Sequence, residues 1–265
     1  MDNASPNLST VSEVALPASS AIPPDAFRMR VADSWTTRGP GPQDGLLLSE
    51  ADRNSLSRIG IPLRIPTAGV PIYHAGDKAR DVFLLLEGIV RVTHLTADGR
   101  RQVIAFHWPG DLFGMQEQGL YIHDAQTITA CLVARLSVRD LKATFLEHPA
   151  LQSHVLIKIL SDLRETQHNT VTRSLPDATI ALATFLLACT QHHELFDASQ
   201  DLLTLPMPRS DIADYIGAAV ETISRAFRAL EHEGLIQRIT PKTIKVDLER
   251  IRSRCAATAP LSPPP

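Results

Sequence analysis

Apolar residues change their spacing along the chain, and the changes mark out its elements. From Leu46, "LLLSEADRNSLSRIG" offers Ser49 as an N-cap, acidic residues in the first turn and a closing glycine, which predicts one short helix. Short apolar runs separated by turn signals follow: "GVPIYHAGD", "DVFLLLEG", "IVRVTHLTADGRRQVIAFHWPGD" and "AQTITACLVARLSV". Such runs predict strands, and Asp98-Gly99 predicts a hairpin turn between Val90–Leu95 and Gln102–Phe106. Together they predict an antiparallel β barrel or roll over roughly residues 60–138.

The period then becomes helical. "VRDLKATFLEHP" predicts a short helix and "ALQSHVLIKILSDLRETQHNTVTRS" a long one, along which Leu156, Leu160, Leu163 and Gln167 keep the four-and-three spacing of a helix–helix seam. That spacing fits a helix packed on its own domain as well as one facing a second chain. Pro176 fits the first turn of another helix, "PDATIALATFLLACTQHHEL", and "FDASQD" reads as a polar loop. The first 28 residues, rich in Ser, Pro, Ala and Asn, read as a flexible arm, and "APLSPPP" as an unstructured tail.

The most informative stretch is "PRSDIADYIGAAVETISRAFRALEHEGLIQRITPKTIKV". Ser210 suits an N-cap with Asp211 beside it, Gly217 stops the helix, and a turn through Ala219 leads into a second helix. Ile223, Phe227 and Leu230 share one face of that helix and should dock it on the first. Glu221, Ser224, Arg225 and Arg228 share the opposite face. Such a row is often only a solvated surface. Here it opens the second helix after a short glycine turn, where a helix-turn-helix presents base-reading side chains. The chemistry agrees, since an arginine fork matches the two acceptors of guanine and a carboxylate accepts from the cytosine amino group. Beyond Gly234 two short strands around Thr240 and Pro241 form a wing, with Arg238, Lys242 and Lys245 available to phosphates. Arg209, Ser210, Thr222 and Arg228 complete the expected backbone contacts.

Composition narrows the classes. With 265 residues, 44% of them hydrophobic, the chain can bury a sizeable core, and no apolar run approaches the roughly 18–20 residues that span a bilayer. No signal peptide is evident, so a cytoplasmic protein without a membrane partner is expected. The net charge of -3 gives no overall pull on polyanions, so nucleic acid must be held by a local surface. No Ser-His-Asp order, phosphate-cradling glycine loop or paired-carboxylate motif stands out, which argues against an enzyme.

"LPMPRSDIADYIGAAVETISRAFRALEHEGLI", preceded by "FLLLEGIVRV" and "WPGDLFG", resembles the cyclic-AMP receptor protein and FNR superfamily of bacterial transcription regulators, particularly its FNR and FixK branch. The resemblance covers roughly Leu46 to Arg254 and implies an α+β chain. Its expected parts are an arm (1–45), a cyclic-nucleotide-binding-like jelly roll (46–148), a dimerisation helix (149–174), a winged helix-turn-helix (175–254) and a tail (255–265). It implies a homodimer joined through Leu156, Leu160 and Leu163 that binds palindromic double-stranded promoter DNA and contacts RNA polymerase. It also makes Glu221, Ser224 and Arg225 the base readers, with Val220 where the cyclic-AMP branch has a further arginine. The implied site is TTGAT, four base pairs, ATCAA, and low-oxygen metabolism is the implied field of action.

The chain departs from the family pattern in three places. Ala218 and Ala219 follow the turn glycine where the FNR pattern has Leu and Thr, losing a capping hydroxyl worth about 1 kcal/mol. Met115 follows "FG" where nucleotide binders place a Glu, and "GLYIHDAQT" has no cation for a phosphate, so cyclic-AMP binding of the usual kind is not expected. Gln116 and Glu117 leave a shifted register open. The N-terminal arm holds none of the three cysteines, Cys131, Cys189 and Cys255, so the ligands of a [4Fe-4S] cluster are missing. Haem remains an alternative effector through His74, His94, His107 or His123. A metal held by Cys189, His192 and His193 is a weaker reading than simple packing; a redox-dependent regulator is the other alternative, and Cys131, expected in the core, would serve as its switch only if exposed with a lowered pKa.

Overall fold

The computed structural model describes residues 21–29, 48–116, 119–173 and 177–256, the last six residues of the long helix by backbone alone. Helix α1 (Glu50–Ile59) opens with a full capping box: Ser49 Oγ accepts from the Asp52 amide and the Asp52 carboxylate accepts from the Ser49 amide. Eight strands follow: β1 (Gly60–Ile65), β2 (Pro71–Tyr73), β3 (Asp81–Glu87), β4 (Val90–Leu95), β5 (Arg101–His107), β6 (Leu112–Phe113), β7 (Asp124–Thr127) and β8 (Cys131–Ser137). They form two four-stranded sheets, ordered β1-β8-β3-β6 and β2-β7-β4-β5. This is the expected roll, with the hairpin at Asp98-Gly99 in place. "AQTITACLVARLSV" divides into β7 and β8, which belong to different sheets. Strand β1 was not foreseen, because Pro62 interrupts its pattern; β1 lies at a sheet edge, where a missing amide is tolerated.

Residues 21–29 correct the expectation of a flexible arm. Ile22, Phe27 and Met29 are buried in one cluster with Leu48, Leu56, Val82, Leu84, Leu136, Leu151 and Val155. Ser57 Oγ donates to the Ile22 carbonyl at 2.6 Å, and a short 3-10 turn, Pro24–Ala26, aims the Phe27 ring inward. Gly60 faces that ring, since a Cβ there would lie 3.0 Å from Phe27 Cζ and 2.9 Å from the Leu56 carbonyl oxygen. The rest of the arm and most of the tail lie outside the described residues.

Helices α2 (Val138–Glu147) and α3 (Pro149–Arg173) fall where the sequence places them. Leu151, Val155 and Lys158 on α3 are buried, whereas Leu156, Leu160 and Leu163 are 55%, 52% and 53% exposed. Lys158 Nζ donates to Asp111 Oδ1 at 2.8 Å, and Asp111 Oδ2 also accepts the Trp108 amide across the turn of "WPGD". A buried ammonium survives because the carboxylate lies within hydrogen-bond reach.

Helix α4 (Ala178–Cys189) is capped by Asp177, whose carboxylate accepts from the Thr179 amide; the expected first-turn residue Pro176 lies outside the described residues. The helix stops at Cys189, short of the two histidines. "FDASQD" is a hairpin between β9 (Phe196–Asp197) and β10 (Leu202–Thr204), with Asp201 in the left-handed region at φ 57°. Helices α5 (Arg209–Ile216) and α6 (Val220–His232), strands β11 (Ile236–Arg238) and β12 (Thr243–Val246), and helix α7 (Leu248–Ala256) complete the chain. The last sheet runs β11-β12-β10-β9. Helix α7 went unread in the sequence, and it carries the domain two residues beyond the expected limit at Arg254.

The chain divides into two compact units. Of the described residues, the first contains 21–29, 48–93 and Phe106–Lys158; the second contains His94–Ala105 and those from Ile159 to Ala256.

Candidate nucleic-acid interface

The first helix of the pair, α5, begins at Arg209 rather than behind a Ser210 cap. Pro208 occupies the N-cap in an extended conformation (φ -69°, ψ 160°), and no side chain caps the helix. The ring fixes φ of Pro208 just before the first turn but offers the free first-turn amides no acceptor, and Ser210 lies half-buried in the first turn. Gly217 ends the helix in the left-handed region at φ 81°, with its amide donating to the Ala213 carbonyl. Three residues later α6 starts. Ala219 is its N-cap and supplies no side-chain bond, so the hydroxyl missing from the sequence is missing from the turn.

Helix α6 is divided sharply. Ile223, Ala226, Phe227 and Leu230 are buried against the preceding helices, whereas Glu221, Arg225 and Arg228 are exposed and Ser224 half-exposed on the other side. Arg225 Nη2 donates to Thr222 Oγ1 at 3.2 Å, one turn back along the helix. That bond draws the guanidinium toward the first turn of α6.

Arg209 lies flat on Phe227, its guanidinium carbon 3.2 Å from the ring centroid. Burial, with a smaller repulsion from Arg238, pulls its pKa down to about 10, so it stays charged at neutral pH. The phosphate role read from sequence therefore falls on a cation already immobilised against the core of the helix pair. In the wing, Ile236↔Val246 and Arg238↔Ile244 face each other across β11 and β12. Its turn is closed by Thr240 Oγ1, which accepts from the amides of Lys242 and Thr243. Arg238, Lys242 and Lys245 are exposed.

The three metal candidates at and beyond the end of α4 do not come together among the described residues. Cys189 at the end of α4 and His192 just beyond it are both buried, whereas the His193 side chain is 86% exposed beside Glu194, so the three residues of "CTQHH" do not share one side as read from the sequence. His74 is exposed and its Nδ1 contacts the Asp124 carboxylate at 3.1 Å; His94 is exposed; His107 stacks on Phe113 at 5.2 Å. No group of three metal-ligating side chains occurs among the described residues. Cys131 is buried as expected, and desolvation raises its thiol pKa. Inside the roll, Tyr73 stacks on Tyr121 with 3.9 Å between centroids, and Phe83 and Phe113 extend the stack at 5.5 and 6.3 Å from Tyr73. This ring cluster was not foreseen; its aromatic residues are separated by as many as 48 positions, and only the roll brings them together.

Comparison with known proteins agrees with this geometry. Residues 66–148 match the cyclic nucleotide-binding domain and residues 181–254 the Crp-like helix-turn-helix domain. The nitrogen fixation regulation protein FixK of Bradyrhizobium diazoefficiens is 30% identical over 191 residues, 72% of this chain and 81% of that protein. The transcriptional activatory protein AadR of Rhodopseudomonas palustris is 30% identical over 215 residues, 79% of this chain and 87% of its own. The solved structure of FixK2 from Bradyrhizobium japonicum superposes with a TM-score of 0.68 at 28% identity, covering 76% of this chain and all of that one (100%). A roll, a long helix and a winged reader in this order, shared with such relatives, make the chain a member of the Crp/FNR family of DNA-binding transcription regulators and not an enzyme.

Proposed function

We propose that two copies of this chain read a palindrome of the form TTGAT, four base pairs, ATCAA. Arg225 takes the guanine, Glu221 accepts from a cytosine amino group and Ser224 completes the reading set. The observation that carries this reading is the division of α6, whose Glu221, Arg225 and Arg228 are exposed and Ser224 half-exposed while its apolar row is buried. Arg209, Ser210, Thr222, Arg228, Lys242 and Lys245 hold the phosphates around it. The exposed stripe of Leu156, Leu160 and Leu163, widened by Ile157 and Ile159, supports a dimer joined along α3. A dimer sets two reading helices about one DNA turn apart.

The regulator acts in the cytoplasm, contacts RNA polymerase and controls low-oxygen metabolism; the description of AadR as an activator supports the polymerase contact. It needs no small effector. Support for this comes from the ring stack of Tyr73, Phe83, Phe113 and Tyr121 in the roll interior and from Met115 at the position after "FG". Fluorescence anisotropy of the purified protein without added ligand tests the reading. Tight binding to the palindrome, lost when both half-site guanines are replaced, is expected. Arg225→Ala should lose about 1–3 kcal/mol on the matched site and most of the discrimination. Unchanged discrimination removes Arg225 from the mechanism, and a haem spectrum in the purified protein overturns the effector-free reading.

A further inference from the structure

Arg101 is the first residue of β5, in the outer part of the β4–β5 hairpin that clusters with the second unit. Its Nε donates to Asp214 Oδ2 at 2.9 Å, and its Nη2 donates to Asp214 Oδ2 at 2.5 Å and to Asp211 Oδ1 at 2.7 Å. Asp211 and Asp214 are one turn apart on α5. The Asp211 side chain is fully buried (0% exposed), that of Asp214 is 26% exposed and that of Arg101 36%. A planar guanidinium fork bridging two carboxylates, one wholly out of solvent, is a directional contact that an arginine forms far better than a lysine. The next residue out, Arg100, has an 82% exposed side chain and, among the described residues, pairs locally with Asp98. Because α5 carries α6 through a three-residue turn and packs against it, a restraint on α5 is a restraint on the reading helix.

We propose that Arg101 is a positioning residue for DNA reading: it locks the first helix of the helix-turn-helix to the hairpin and so fixes the attitude of α6. The lock joins positions 110 and 113 residues apart, far from Glu221, Ser224 and Arg225. It rests on the DNA-reading function proposed above.

The test is a double-mutant cycle on the full chain, read by anisotropy on the palindrome and by hydrogen exchange of the α5 amides. Arg101→Ala and Asp214→Ala should each weaken binding by about fivefold or more, and the pair together should be no weaker than the worse single variant. Asp211→Asn, which keeps a carbonyl acceptor for Arg101 but removes the buried charge, should lose less affinity than Arg101→Ala, which a merely structural loss would not order in this way. Arg101→Lys, which keeps the charge and loses the fork, should fall between wild type and Arg101→Ala; it carries the test if the alanine variant does not fold. Losses that add, or an Arg101→Ala protein that binds like wild type, overturn the proposal. If wild type ignores the palindrome, the DNA reading fails by itself, and exchange decides the lock: faster α5 exchange in Arg101→Ala supports it, and unchanged exchange overturns it.

Discussion

Replacing Phe27 by alanine probes a segment whose composition suggested no structure. The ring is fully buried (0% exposed) among Ile22, Met29, Leu56 and Leu84. Burying an aromatic side chain removes ~150–250 Å² from water, about 4–6 kcal/mol at 25 cal/mol per Å² as an upper limit. Core Phe→Ala replacements cost about 3–5 kcal/mol, so Phe27→Ala should remove about that much stability. Gly60→Ala should also destabilise, because the new Cβ meets Phe27 Cζ at 3.0 Å and the Leu56 carbonyl at 2.9 Å. With the ring gone its two close contacts with the new Cβ are lost, so the double variant should cost less than the sum of the two. Urea unfolding followed by circular dichroism and by tryptophan fluorescence measures both, with coincident transitions as the check that one free energy describes them. A loss below about 1 kcal/mol for Phe27→Ala, the range of a surface substitution, would refute the docking of residues 21–29.

Three further outcomes are expected. Lys158→Ala leaves the Asp111 carboxylate without its ammonium at a buried site and should cost about 3–5 kcal/mol, whereas Lys158→Met with Asp111→Asn should cost less; equal losses in urea unfolding would contradict this. Burial pushes the Tyr121 hydroxyl from its ordinary 10.0 up to about 12. Its contribution is therefore complete below pH 10 and lost as pH rises toward 12, where the unfolded chain ionises first, and Tyr121→Phe should flatten that part of a stability–pH curve. DNA affinity should fall steeply with salt, and Lys242→Ala or Lys245→Ala should weaken all sequences alike and shallow the log–log salt slope by about one unit each.

The elements legible in the sequence were those with a local signature. The Asp98-Gly99 turn, the Ser49 cap, the Gly217 stop and the split faces of α6 each depend on residues within a few positions of one another, and the structure places them as read. What escaped depends on distant partners. Phe27 and Gly60 make sense only together, and neither stretch has a period. Strand β1 carries a proline that only an edge position excuses. One miss is local: Pro208 stands at the N-cap place assigned to Ser210, and the helix starts with no side-chain cap. Lys158 stands in an apolar helical run as if it were a surface residue, and its partner Asp111 is 47 residues away. Arg101 is one of two adjacent arginines, and nothing in the sequence separates the exposed one from the one that grips α5.

The stacked rings inside the roll bear on how such a molecule can be controlled. A ligand switch works by binding one of two conformations more tightly, and it can shift the balance only by that difference in affinity. A small molecule entering among Tyr73, Phe83, Phe113 and Tyr121 would have to replace contacts the rings already make with one another before it gained any of its own. Rings already closed on one another leave little affinity difference for such a ligand to offer. On the proposed reading, the dose of protein is the signal, and the cell adjusts transcription by making or removing copies rather than by toggling those it has.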